Sequence, residues 1–359
     1  MDLDVSSDSD LEMGIIDELL PKPRRSRQFN ERAFGPAIDE TTRLQRHRVP
    51  EAVVDYLEDK LGPLLQHPTK RNKPLSPREQ IELFLQFLGT NGFYHLLRDA
   101  RGPSSHTVCR TIHRVSKAVN TLKSEVICWP TDCSRLAQDF NKIGGFPKVA
   151  GCIDGTHFNI AVPTTDEISY LNRHHQHSIN ALAVAGPDLS IYYLNRDHPG
   201  RCHDANVLRE SLLWQSFEEA GNRPFEGAVI LGDSAYPLRQ WLITPFPGDP
   251  DGAKGRFNVS HMRTRNVVER AFGVIKNRFS ALKTTLRLKD PRDSASVIES
   301  AVIIHNLCIR HGDHGEDLSE NEDQEPDVED PPLPEPEGRV TAAEFRERRR
   351  NQLLMSFQQ

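Results

Sequence analysis

The sequence predicts an α/β protein in which a mixed sheet flanked by helices follows a helical N-terminal region. Three observations predict it. Apolar residues recur at helical spacing from about 40 to 145, the pattern changes to short apolar runs at about 148, and long helical patterns return after those runs.

In the helical region, Ser76, Pro77 and Glu79 form a capping box, after which Ile81, Phe84, Leu85 and Leu88 share one helix face. Gly89 and Gly92 are expected to break that helix. A short segment, Phe93 to Arg98, leads to Gly102-Pro103-Ser104-Ser105, a second helix start. The helix that follows puts Val108, Ile112, Val115, Val119 and Leu122 on one side and Arg110, Arg114 and Lys117 on the other. Helix, short helix, glycine turn and basic helix, over about 76–122, is the outline of a helix-turn-helix, whose last helix enters the major groove of DNA. A helical bundle with a basic exposed face gives the same outline.

The strands are expected at Val149 to Ile160, Ser178 to Ala185, Ser190 to Leu194 and Ala228 to Leu231. Helical stretches follow the third strand, Asp204 to Ala220, and fill most of the end, His261 to Phe279 and Ser294 to Arg310. Three consecutive strands, a helix, another strand and then helices describe a mixed sheet.

With 37% hydrophobic and 27% charged residues, and apolar runs such as Ala301 to Ile304 far short of the roughly 18 residues a bilayer span needs, a membrane-spanning protein is excluded by pattern. The acidic start Met1-Asp2-Leu3-Asp4 has no apolar segment behind it, so a secretory or transit signal is not expected. Cysteines 109, 128, 133, 152, 202 and 308 form no Cys-x-x-Cys pair, which argues against disulfide scaffolds and zinc ribbons.

Charge is distributed unevenly. Residues 1–20 carry 7 acids and no bases, 312–359 carry 14 acids and 5 bases, and 21–311 carry 30 acids and 40 bases. A basic body with acidic tails suggests a polyanion partner. Residues 1–20 and the Pro-rich 312–340 are expected to be disordered tail and linker, with a basic helix at 341–359. The cluster Lys22-Pro23-Arg24-Arg25-Ser26-Arg27 suits nuclear import or a phosphate-touching arm, and a nuclear address is expected.

Three carboxylates stand where a strand ends or a helix presents them: Asp154, Asp233 and Glu269. An acid within an apolar strand is costly unless something neutralises it. Mg²⁺ or Mn²⁺ would do so, and two such ions about 3.5–4 Å apart can stabilise both the attacking and the leaving oxygen of a phosphoryl displacement. Each acid taken singly could equally pair with an arginine or cap a helix. In the stretch His261 to Phe279, however, His261, Arg265 and Glu269 recur every four residues on one face, and Lys276 and Arg278 continue the helix as phosphate contacts. Thirty-five residues separate Asp233 from Glu269.

The ordered motifs Gly151-Cys152-Ile153-Asp154-Gly155-Thr156-His157, Pro199-Gly200 with His203-Asp204-Ala205-Asn206-Val207-Leu208, Gly232-Asp233-Ser234-Ala235-Tyr236-Pro237, and Glu269 with Phe272-Gly273 and Lys276-x-Arg278-Phe279 carry a resemblance. With Ile304-His305-Asn306-Leu307-Cys308 near its end, the region from about 150 to 310 resembles the Harbinger (PIF/Harbinger) transposases and the Harbinger transposase-derived nucleases. Pro103 to Arg110 is similar to that family's N-terminal helix-turn-helix segment, and Ala342 to Phe357 to its closing basic helix.

The resemblance implies a DDE nuclease domain of ribonuclease H-like fold over 146–311, following a helical region over 21–145. It implies Asp154, Asp233 and Glu269 as the catalytic triad, with Asp204 as a further metal ligand that spacing alone marks only as a helix cap. The chain departs from the family at Arg201-Cys202, where small residues are usual. The expected activity is divalent-metal-dependent DNA cleavage, with strand joining as an extension, and Arg265 or Lys276 offsetting phosphate charge. His157, His203 and His261 are candidates to support the ligands or touch DNA. Expected partners are DNA and, by resemblance, a separate Myb-like DNA-binding protein; a homo-oligomer is compatible with this reading. Two rivals stay open: a domesticated DNA-binding or scaffold protein that no longer cuts, and a ribonuclease H-like enzyme acting on RNA.

Overall fold

The computed structural model describes residues 44, 46–69, 73–90, 94–315 and 340–358. The acidic stretch 1–20, the basic cluster at 22–27, Gly92 and most of the Pro-rich linker lie outside the described residues.

Among the described residues, helices build the part of the chain before the sheet. Helix α1 (Glu51–Leu65) buries Val53, Val54, Leu57, Leu61 and Leu65, a stripe at three- and four-residue spacing. Helix α2 (Pro77–Thr90) begins with the capping box: Ser76 N–H donates to Glu79 Oε2 at 2.6 Å and Glu79 N–H donates to Ser76 Oγ at 3.2 Å. Gly89 lies inside α2 rather than ending it. A Cβ there would sit 3.0 Å from the Arg46 carbonyl oxygen, so the glycine serves close approach of the chain. Helix α3 (Tyr94–Arg101) and helix α4 (Ser105–Asn120) follow, the latter capped by Ser104 Oγ accepting from Thr107 N–H. Val108, Ile112, Val115 and Val119 of α4 are fully buried. Helices α5 (Lys123–Val126) and α6 (Leu136–Gly144) lead to the sheet.

The sheet has five strands in the order β3-β2-β1-β4-β5. Strands β1 (Val149–Asn159), β2 (Ser178–Ala185) and β3 (Ile191–Pro199) form an antiparallel meander, with short α7 (Glu167–Tyr170) between the first two. Helices α8 (Asp204–Arg209) and α9 (Leu212–Trp214) and a π-helical turn (Gln215–Glu219) lead to β4 (Val229–Leu231), which is parallel to β1. The expected continuous helix over 204–220 is broken at Ser211, whose hydroxyl caps α9 by accepting from Trp214 N–H. Strand β5 (Leu242–Ile243) is only two residues long and has no alternation for the sequence to reveal.

Helix α10 (Gly252–Arg278) starts nine residues before the expected His261, and short α11 (Ser280–Lys283) follows it. Helix α12 (Pro291–Arg310) is capped by Asp290 and buried along most of its length. Helix α13 (Val340–Leu354) docks through Arg349, which donates to the Gly227 carbonyl at 2.5 Å, and through buried Leu353.

Side chains alternate across the sheet and feed two cores. Cys152, Phe158, Ala181, Ala183 and Leu231 face α10 and α12, in an apolar core that also takes in Val53 of α1 and Phe84 of α2. Ile153, Leu182, Val184, Ile230 and Leu242 face α8, packing on Val207, Leu208, Phe217 and Trp241. Helix α4 is joined to α12 by a polar seam: Asn120 Nδ2 donates to Ser296 Oγ at 3.0 Å, and Ser300 Oγ donates to Asn120 Oδ1 at 2.8 Å. Among the described residues, no helix is long and apolar enough to cross a membrane.

Candidate active site

Asp154 and Asp233 come together because β1 and β4 are parallel neighbours. Cys152 is in register with Leu231, and each acid lies two residues beyond that pair. The carboxyl ends of adjacent parallel strands are where open α/β sheets place ligands. On the Cys152 face, α10 runs across β1, with Cys152 Sγ donating to the Thr264 carbonyl at 3.3 Å. One residue further along α10, Arg265 Nη1 donates to Asp154 Oδ2 at 2.9 Å and Nη2 donates to Glu269 Oε1. The guanidinium therefore ties the third acid to the first.

Asp204 arrives from the other face. It opens α8 and approaches the Cα of Gly155, where a Cβ would stand 2.5 Å from the Asp204 carboxyl carbon. Asn180 of β2 holds it, donating Nδ2 to Asp204 Oδ1 at 2.7 Å and to the Cys202 carbonyl at 2.8 Å. The Arg201-Cys202 departure thus leaves a working backbone acceptor. Tyr236, packed in the α8-side core over Gly232, is 3% exposed, and its Oη is buried with no hydrogen-bond partner among the described residues.

The electrostatics report one coupled cluster. Burial pushes the Asp154 carboxyl up to about 8; Arg265 opposes this, and the negative charges of Asp233 and Asp204 reinforce it. Burial works against the Arg265 charge, but Asp154, Glu269 and Asp233 outweigh it and raise its pKa. The Tyr236 phenol is held well above its ordinary range by burial and then by Asp204, Asp154 and Asp233.

By donor type the residues fit a hard divalent cation: carboxylate oxygens on three elements, with an unpartnered buried hydroxyl beside them. As arranged, however, no three His, Cys, Asp or Glu side chains form a metal-holding group among the described residues. The physical reasons are the guanidinium between Asp154 and Glu269 and the approach of Asp204 from the opposite face. Asp154, Asp233 and Glu269 are the residues that would hold a metal, with Asp204 adjoining.

The DDE superfamily endonuclease family profile matches residues 153–306, which span all four acids. The protein named "Putative nuclease HARBI1" of Bos taurus is 32% identical over 73% of this chain and 76% of its own length. HARBI1 of Homo sapiens is 31% identical over the same shares, and the ALP1-like protein of Arabidopsis thaliana is 23% identical over 78% of this chain and 74% of its own. The chain belongs to the Harbinger-derived DDE nuclease family. No solved structure matches it.

In this Harbinger-derived chain the remaining candidates separate by environment. His261 is 2% exposed and packs against Phe146 and Phe257; its Nε2 lies 3.0 Å from the Ile243 carbonyl, and burial lowers its pKa to about 4. That corrects its assignment to the site: it is a core histidine one turn before Arg265. His157 Nδ1 lies 3.0 Å from Ser178 Oγ and belongs to the Gly155 face, away from Asp154. His203 is the exposed residue preceding α8.

The basic candidates separate too. Arg278 is 1% exposed, donates to both Asp313 carboxylate oxygens and to the Arg48 carbonyl, and is corrected from DNA contact to structural anchor. Arg114 is half-buried and donates through Nη2 to the Leu64 and Gln66 carbonyls at 3.0 Å, capping the end of α1. Lys276 donates to Thr156 Oγ1 at 2.9 Å and lies over the Phe158 ring, two and four positions along β1 from Asp154. Arg110 and Lys117 are exposed on α4 and line a cleft of about 670 Å³ with Lys73, His106 and His113.

Residue spacing missed Asn180, Gly155 and Tyr236. Asn180 carried the signal that marked Asp154, a polar residue inside an apolar strand. Tyr236 stood in a quoted motif, but nothing in the sequence says that its hydroxyl is buried.

Proposed function

We propose that this chain is a divalent-metal-dependent DNA endonuclease of the Harbinger type that hydrolyses phosphodiester bonds in the nucleus. The carrying observation is Asp154 within β1 beside Asp233 just past the end of parallel β4, with Glu269 tied to Asp154 through Arg265. The strand order β3-β2-β1-β4-β5, with three antiparallel strands followed by two parallel ones, supports a ribonuclease H-like reading of the domain. A bound Mg²⁺ or Mn²⁺ would supply an activated water and charge stabilisation at phosphorus.

The chain's own groups have separable tasks. Arg265 orients Asp154 and Glu269; Asn180 fixes Asp204; Tyr236 keeps a buried hydroxyl within reach of the charges of Asp204, Asp154 and Asp233. Strand joining asks the same site to accept a DNA 3′-hydroxyl in place of water. The α2–α3–α4 trio suits a helix-turn-helix, with the exposed stripe of Arg110 and Lys117 as its phosphate contacts. A Myb-like protein partner and self-association complete the proposal.

Plasmid nicking tests it. Wild-type protein should nick supercoiled DNA in Mn²⁺, and Asp154→Asn or Glu269→Gln should abolish nicking while leaving DNA affinity nearly unchanged. Parallel RNA and hybrid substrates separate a DNA from an RNA enzyme. A domesticated DNA-binding protein is the second reading, favoured by the guanidinium standing between two of the acids. Folded wild-type protein that binds DNA but neither binds Mn²⁺ nor nicks would select it.

A further inference from the structure

We propose that Arg265 is an internal counter-ion occupying the cation position between Asp154 and Glu269, so that a divalent cation and this guanidinium exclude one another. The inference rests on the metal-dependent reading above and adds how metal entry is controlled.

Arg265 is 17% exposed and reaches from α10 to β1, with one Nη on Asp154 and the other on Glu269. Glu269 alone, 44% exposed on the same helix face, would satisfy an ordinary surface arginine. The reach to a strand carboxylate across the interface is the unusual feature. Arginine's fork offers N–H donors in two directions, so a single residue neutralises acids that would otherwise repel each other. Asp233 also bears on its charge.

An ion bridging Asp154 Oδ2 and Glu269 Oε1 would take the lone pairs that those N–H groups occupy. Its charge also repels a guanidinium held about 4 Å away, at a cost of several kcal/mol per unit charge in a partly buried site. The guanidinium must therefore leave. Once released, it remains one turn before Glu269 on α10, positioned to meet a phosphate oxygen. Arg265 thus keeps the acids ordered without metal, lowers resting metal affinity, and couples metal entry to the release of a phosphate-binding group.

The test is Mn²⁺ titration of the full chain, read by the electron paramagnetic resonance of free Mn²⁺, with melting in EDTA as a folding control. Folded Arg265→Gln should bind Mn²⁺ roughly tenfold tighter than wild type, because a repelling charge is gone. It should melt below wild type in EDTA and recover with Mn²⁺, whereas Asp154→Asn should lose Mn²⁺ binding in either background. A purely structural Arg265 would lower both stability and affinity. Equal or weaker Mn²⁺ binding by Arg265→Gln overturns the counter-ion role, and Asp154-dependent binding by wild type then leaves the metal-dependent reading intact. Loss of binding in wild type and variant alike, at millimolar Mn²⁺, overturns both. If Arg265→Gln does not fold, Arg265→Met decides: methionine keeps an unbranched stem without the charge, so the variant should bind Mn²⁺ tighter than wild type, and unchanged affinity overturns the proposal.

Discussion

Gly155 and Asp204 meet where no side chain could stand: a Cβ on Gly155 would lie 2.5 Å from Asp204 Oδ1 and 2.6 Å from Oδ2. The glycine of the first acidic motif thus makes room for the acid of the second. Gly155→Ala should push Asp204 off Asn180, cost about 1–3 kcal/mol of stability by overpacking, and sharply reduce Mn²⁺-dependent nicking. Gly62→Ala is the control, since nothing lies within 4 Å of its would-be Cβ. It should be neutral or stabilising by up to about 1 kcal/mol in a melting curve.

Asp154 makes metal-free stability depend on pH. Burial is the main cause that pushes its carboxyl up from the ordinary 3.8 to about 8 in the folded chain. The carboxyl's contribution is therefore fully present below pH 4 and is lost as pH rises through 8. In EDTA, wild type should lose stability relative to Asp154→Asn across that window, by roughly 2 kcal/mol or more, and the difference should level off above it. A pH-independent difference in Tm would contradict the assignment.

Tyr236→Phe should separate stability from activity. Removing a buried hydroxyl that has no partner relieves a desolvation cost of about 1 kcal/mol, so the metal-free variant should melt at or above wild type. Nicking should fall, because the hydroxyl is close enough for the charges of Asp204, Asp154 and Asp233 to act on it. Loss of stability and activity together would mark Tyr236 as packing alone.

The arginines should fall into two groups. Arg278→Ala leaves Asp313 without its partner in a largely enclosed site and should cost about 3–5 kcal/mol. Arg114→Ala uncaps α1 and should cost about 1 kcal/mol with little effect on DNA. Arg110→Ala should leave Tm unchanged and lower the salt slope of duplex binding by about one unit.

How much could be read in advance follows from what each feature depends on. The helix faces of Ile81, Phe84, Leu85 and Leu88, and of Val108, Ile112, Val115 and Val119, follow from local periodicity, and all are buried. Strands β1 and β2 are long enough to show; β5 is too short to show anything. Asp154, Asp233 and Glu269 stood out because carboxylates within apolar patterns are costly. The arginines did not sort themselves in the sequence, since a charge on a helix looks the same whether it meets solvent, a carbonyl or an acid. Arg114 and Arg278 required coordinates because their acceptors, at Leu64, Gln66 and Asp313, lie far along the chain. Asp204 was legible only by resemblance, because its holder, Asn180, is a neighbour in space and not in sequence.

The seam that locks Asn120 to Ser296 and Ser300 has a mechanical consequence. With α4 clamped there, the stripe bearing Arg110 and Lys117 cannot swing on a tether relative to the sheet that carries the acids. For a duplex gripped along that stripe, the number of base pairs from grip to scission would be ruled off by the protein's own interior, as on a fixed caliper, and would not vary with the slack of a connecting chain.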